Sequence, residues 1–196
     1  ILNAASKLVS FDSPPLKQEG LRLFEHAVTL WPTSVDARLG LASTLYQATE
    51  AERAKRIYQE VLEQHPNEVR ALNDLAWILQ EHEQRYEAAL ELANRGLRLV
   101  PDHRDLLDTR GTILSNLPNR LNEARNDFAR LVQELPADTR DQARALLQLG
   151  RVCVRLQDLA RAKEHLQDAL EIDRKVSAFT AAERTEINGI IQKDSI

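Results

Sequence analysis

Methionine is missing from the chain altogether, and cysteine occurs once, at Cys153. A single thiol excludes an internal disulfide and any metal site built from several cysteines. Glycine and proline are scarce, six and seven residues scattered over 196, so no low-complexity tract or flexible linker breaks the chain. Aromatic residues make up only 5%, and a core must be filled mainly by leucine and alanine, for which a hydrophobic content of 43% suffices. Apolar runs are a few residues long, too short to span a bilayer. There is no basic excess either. Against 30 Asp and Glu stand 26 Lys and Arg, a net charge of -4, which offers no general pull toward nucleic acid or an anionic membrane. The start at Ile1 and the lack of methionine point to a segment of a longer protein, whose leader or anchor would not be seen. The lone cysteine bears little on compartment; a cytoplasmic place is slightly favoured over a periplasmic one.

Catalytic constellations are also lacking. His26, His65, His82, His103 and His165 make no i,i+4 pair, and there is no HExxH. Neither GxGxxG, GxxxxGK[ST] nor GxSxG occurs, so no phosphate cradle or nucleophile elbow is visible. His82 and Glu83 fall in a turn and read as solvated polar residues rather than metal ligands. Cys153 shares an apolar helical stripe with Leu149 and Leu156, as a small buried hydrophobe does. Carboxylate pairs such as Glu87 and Glu91 read as a wet outer face. The expectation is a chain with no enzyme activity, cofactor or metal of its own.

What the sequence does contain is itself, several times over. Pro32, Pro66, Pro101 and Pro136 each close a helical run, at spacings of 34, 35 and 35. Twelve residues before each stands a small residue: Gly20, Ala54, Ala89 and Ala124. Four further on come Phe24, Tyr58, Ala93 and Phe128, and after three more Ala27, Val61, Gly96 and Leu131. A fifth copy keeps the frame with Ala162, Leu166 and Ala169, with Arg174 in the place of proline. A large–small pair recurs earlier in the unit, at Leu41–Ala42, Leu75–Ala76 and Leu149–Gly150; the fourth copy has Arg110–Gly111, an arginine where leucine is expected.

This pattern resembles the tetratricopeptide repeat, a helix–turn–helix unit of about 34 residues. The resemblance covers residues 1–174, and the stretches "ALNDLAWIL" and "LLDTRGTIL" look bacterial. It implies an all-α, right-handed superhelix, an α-solenoid of four to five repeats over approximately 1–32, 33–66, 67–101, 102–136 and 139–174. Gly96, which costs about 1 kcal/mol against alanine in a helix, then marks a small slot where a neighbouring first helix crosses closely. The stripe Phe179, Ala182, Ile187, Ile190 and Ile191 reads as a capping helix over approximately 177–193, covering the apolar face that the last repeat would bare.

Local signals fit the same register. Pro14 follows Ser13 at a helix start. Thr49 with Glu52, and Thr180 with Glu183, have capping-box spacing. Asp105 brings acid to a first turn. "EHEQR" adds one residue to its turn, and "PADTRDQ" adds about four, which means either a longer turn or a helix starting early at Thr139.

The resemblance further implies a non-enzymatic protein–protein interaction scaffold, with partners taken as peptides or helices on the concave face lined by first helices. The register assigns Asp36, Leu39, Gly40, Ser43, Tyr46 and Gln47 to that face in the second copy, and Arg70, Asn73, Asp74, Trp77, Gln80 and Glu81 in the third. The fourth contributes Asp105, Asp108, Thr109, Thr112, Ser115 and Asn116; the fifth, Arg144, Leu147, Gln148, Arg151, Val154 and Arg155. Trp77 reads either as a binding anchor or as a residue of inter-repeat packing. Asn73 sits where relatives hold a peptide amide. Arg144, Arg151 and Arg155 form one cationic stripe, suited to an anionic segment or to solvent. Relatives that clamp a carboxylate chain end use lysine, asparagine and arginine at the positions here held by Leu39, Ser43, Asp74, Asp105 and Thr109, so that mode is disfavoured. Self-association through an uncapped first repeat, as a homodimer, and service as an accessory domain of an enzyme are the alternatives.

Overall fold

Residues 1–11 and 13–192 are described by the computed structural model. They contain eleven helices and no strand. The chain divides into two compact units, Ile1–Leu99 and Val100–Ile196.

The first unit holds α1 (Leu2–Val9), α2 (Pro14–Leu30), α3 (Val35–Gln47), α4 (Ala51–Gln64), α5 (Val69–Glu81) and α6 (Tyr86–Leu99). Each packs on the next, and α1, α3 and α5 also touch in sequence as an inner row. The second unit holds α7 (Arg104–Asn116), α8 (Leu121–Glu134), α9 (Arg140–Arg155), α10 (Leu159–Val176) and α11 (Ala181–Gln192), again each on the next.

The repeated small residues are what lets the paired helices close. Gly20, Ala54, Ala89, Ala124 and Ala162 are all buried. A methyl added at Gly20 would stand 2.5 Å from Val9 Cγ1 and 3.1 Å from the Ala5 carbonyl oxygen, so α1 lies directly on the α2 backbone. Gly111 and Gly150 do the same in the second unit, against the Phe128 ring at 2.8 Å and Leu166 Cδ2 at 2.6 Å. Gly96 is buried in α6, in the slot that Ala27, Val61, Leu131 and Ala169 fill elsewhere.

The turns inside the hairpins come in two lengths. Turns 48–50 and 156–158 have their left-handed residue second, at Thr49 (φ 63°) and Gln157 (φ 61°); turns 82–85 and 117–120 have it third, at Gln84 (φ 53°) and Asn119 (φ 60°). The extra residue read in "EHEQR" is therefore present, and the α7–α8 turn carries one too. Thr139 caps α9, accepting a hydrogen bond from Gln142 N–H at 3.2 Å, so that helix does begin at Arg140.

Two local expectations are corrected. Thr49 and Glu52 form no capping box. Glu50 N–H bonds the Leu45 carbonyl at 2.9 Å, a 6→1 closure of α3 that forces Thr49 into the left-handed region. The residue that precedes the first turn of α4 is instead Glu50, at φ -95° and ψ 52°, and its side chain makes no cap bond. Thr180 and Glu183 do form a box: Thr180 N–H reaches Glu183 Oε2 at 2.7 Å, and Glu183 N–H reaches Thr180 Oγ1 at 3.2 Å. The terminal helix consequently starts at Ala181, not 177. Phe179 and Ile187 are buried as the stripe requires, but Ala182 is exposed. Residue 193 lies outside the described residues.

Candidate functional site

In the first unit, α3 and α5 bring Tyr46 to Trp77 and Asp36 to Arg70. Trp77 is half-buried there, and its Nε1–H donates to Tyr46 Oη at 2.8 Å. The Tyr46 ring in turn meets the edge of His82, with centroids 5.6 Å apart and planes at 82°. Trp77 thus has its polar tip tied down within the fold, while part of its ring stays open. Arg70 pairs with Asp36 at 3.4 Å across the same two helices, both largely exposed.

Asn73 and Asp74 are occupied. Asn73 Nδ2 donates to Asp74 Oδ1 at 3.1 Å. Burial, and then the Asp74 carboxylate, push the Tyr58 phenol above its ordinary range. The side chain at position 74 thereby serves a fully buried tyrosine of α4. Of the residues expected on this face, Leu39 and Gln80 are buried, and Gly40 lies against the Phe24 ring of α2.

In the second unit the face has two characters. On α7, Asp105 is exposed and Asp108 half-buried. Burial raises the Asp108 carboxyl above its usual range, and the neighbouring charges of Asp105 and of Asp141 on α9 raise it further. Thr109 is buried. On α9, Gln148 is half-buried and Leu147 buried. The three arginines all have intramolecular acceptors. Arg151 makes two bonds to the Glu186 carboxylate of α11, at 2.9 and 2.6 Å. Arg144 donates to the Ala178 carbonyl at 3.2 Å. Arg155 donates to the Ser115 carbonyl at the end of α7, at 2.6 Å. Hydrogen bonding to Arg151 holds the Glu186 carboxyl below its usual range. The acidic segment met by this stripe includes the chain's own α11.

Chemistry-bearing groups elsewhere are sparse. Cys153 is fully buried, and burial raises its thiol further from ionisation. No cluster of His, Cys, Asp and Glu suited to a metal is found among the described residues. No helix among them is long and apolar enough to cross a membrane.

Two tetratricopeptide repeat family models match the chain, over residues 18–78 and 143–176. A thermophilic TPR protein of Thermus thermophilus has the same fold, with a TM-score of 0.72 at 18% identity, over 97% of this chain and 96% of that one. The chain carries tetratricopeptide repeats and has the tetratricopeptide solenoid fold. Its all-α solenoid fold also matches part of the APC/C hetero-tetramer Cut9–Hcn1, with a TM-score of 0.77 at 20% identity, over 92% of this chain and 34% of that one. A third likeness is YrrB, described as a TPR protein with an unusual peptide-binding site, with a TM-score of 0.65 at 21% identity, over 88% and 84% of the two chains. Among curated proteins, none matches this chain in sequence.

Within the tetratricopeptide frame, three contributors were not picked out from the sequence. Tyr46 was placed on the face, but its bond to Trp77 was not foreseen. Asp127 answers Arg110, the arginine standing in a leucine slot; a charge in a buried slot is a signal to seek an opposite charge on the facing helix. Asp173 accepts from Phe179 N–H and Arg184, and nothing in the local pattern marks it.

Proposed function

We propose that this chain is a non-enzymatic interaction scaffold, a module of a larger protein, that binds a peptide or helix of a partner on its first-helix faces. The observation that carries this reading is the Trp77–Tyr46 pair. A large amphipathic ring, partly open and fixed by a hydrogen bond 2.8 Å long, is an anchor whose ordering is complete before a partner arrives, so binding need order only the partner. Asn73 and Asp74 flank it in the first unit. Asp105, Asp108 and Gln148 are the proposed contacts in the second, where unneutralised acid favours a basic segment. Arg144, Arg151 and Arg155 reach an acidic partner only where their present acceptors give way. The YrrB likeness lends support at the level of the fold.

The test is affinity capture with the chain as bait beside Trp77→Ala and Asp105→Arg baits, each also followed through urea unfolding. Proteins retained by the parent and lost by a variant that remains folded support the reading. Identical sets from all three baits overturn it. A second reading rests on Phe11, just after α1, which is 47% exposed: a large apolar side chain beside the first hairpin suits self-association. Light scattering across concentration checks it, and a mass fixed at the monomer removes it.

A further inference from the structure

We infer that the face built by α9 and α10 is a docking surface for an acidic amphipathic helix, and that α11 is a resident occupant which such a helix can displace. This goes beyond the scaffold reading, since it concerns the last hairpin alone and stands whether or not Trp77 meets a partner.

The hold on α11 is thin where it is apolar and conspicuous where it is charged. Of its twelve residues, only Ile187 is buried, with Ile190 and Ile191 packed at the rim. By contrast α9 buries eight of sixteen. A helix this short is marginal on its own in water, so its helicity depends on staying docked. Beneath it lies an apolar strip, Ala143, Leu146, Leu147, Leu166, Ala169 and Ile172, which is poorly suited to standing open.

Charge decides what can lie there. The Arg151–Glu186 pair sits on the rim, its side chains 34% and 41% exposed, where an incoming carboxylate can take over both hydrogen bonds without a buried charge being stranded. Arg144, with Arg151, also bears on Glu183, whose carboxyl is held low first by its bonds with Thr180. A helix carrying acid beside a pair of isoleucines therefore reproduces the present contacts, whereas a basic helix meets like charge. The turn before α11 and the first turn of α11 itself are tied separately: the buried Asp173 takes Phe179 N–H at 2.8 Å and Arg184 Nε and Nη2 at 2.6 and 3.0 Å, and Ser177 turns the chain at φ 52°. That anchor keeps the tether in place while the distal turns of α11 lift.

The experiment uses the full chain and a labelled synthetic peptide of residues 178–192 as probe. A covering helix taxes binding of its competitor by the fraction of time it is open, so weakening α11 in the chain with Glu186→Arg should tighten peptide binding by about tenfold over the parent. In a chain carrying Arg151→Glu the preference should invert, with a Glu186→Arg peptide binding and the unaltered peptide not. Hydrogen exchange on the unmodified chain supplies a reading that needs no variant: α11 amides should exchange through openings that leave α9 and α10 protected. No saturable peptide binding to a Glu186→Arg chain that remains helical, equal binding of both peptides to the Arg151→Glu chain, or α11 protection equal to that of α9 would each overturn the proposal.

Discussion

Arg110 and Asp127 form a two-bonded ion pair inside the α7–α8 hairpin, with Nε and Nη2 donating to the two carboxylate oxygens at 2.7 and 2.6 Å. Asp127 is 5% exposed, and Arg110 stands where the other copies place leucine. The fourth repeat thus replaces an apolar contact between its helices by a charge pair. Such a pair adds little over a well-packed apolar one, but breaking it leaves a buried charge alone. Arg110→Leu alone should cost about 3 kcal/mol in urea unfolding, and adding Asp127→Leu should return stability to within about 1 kcal/mol of the parent. Additive losses in the double variant would mean that the pair is not coupled in this way.

Gly40 and Phe24 interlock α3 with α2. A methyl built on Gly40 would overlap the Phe24 ring, which is 3% exposed. Gly40→Ala should therefore cost about 1 to 3 kcal/mol by overpacking, despite alanine's better helix propensity. Phe24→Leu should recover part of that loss in the double variant. A Gly40→Ala chain as stable as the parent would show that the ring shifts freely.

Fold and site were legible to different depths. The helix pairs could be read because each copy repeats one demand, a small residue at a fixed place in its second helix, and four of the five set a large residue four further on. Register likewise puts Trp77 and Arg151 on first helices of their repeats, α5 and α9. What register cannot give is which side chains across a face satisfy one another. Tyr46 is 31 residues before Trp77, and Glu186 is 35 after Arg151. The first is one repeat less a helical turn and the second one full repeat, and the turns between helices vary from three to five residues. The Thr49 misreading has the same origin. Threonine three residues before glutamate means a box only if the threonine backbone is extended, and the 6→1 closure of the preceding helix decides otherwise.

That closure carries its own cost. Thr49 is β-branched and held at φ 63°, a region that disfavours L-residues by about 1–2 kcal/mol and branched ones most. Its hydroxyl bonds only the neighbouring Ala48 carbonyl, at 2.6 Å. Thr49→Asn should raise stability by about 0.5–1 kcal/mol, because asparagine tolerates this conformation. Thr49→Gly should gain less, since glycine also gains freedom in the unfolded chain. The urea midpoint checks both. An unchanged midpoint for asparagine would show that the turn is not strained at this residue.

Asp173 makes the attachment of α11 sensitive to acid. The hydrogen bonds from Arg184, and then the Phe179 N–H, outweigh the cost of burial and hold its carboxyl below the usual carboxylate range. Arg184 is 42% exposed, so solvent screens that contact, and the Phe179 bond within the core accounts for a larger share of the stability than its place in that order suggests. With a folded pKa below the unfolded one, the contribution is complete above the unfolded value of about 3.9 and fades as pH falls through the folded value. Glu183 and Glu186 are lowered in the same sense, each by its hydrogen-bond partners, and act with it. Asp173→Asn should therefore cost about 1–2 kcal/mol at neutral pH. The gap between parent and variant should narrow as unfolding is repeated at successively lower pH, beginning just below the usual aspartate range. A gap that stays constant down to acid would mean that Asp173 stabilises the chain by its shape and not by its charge.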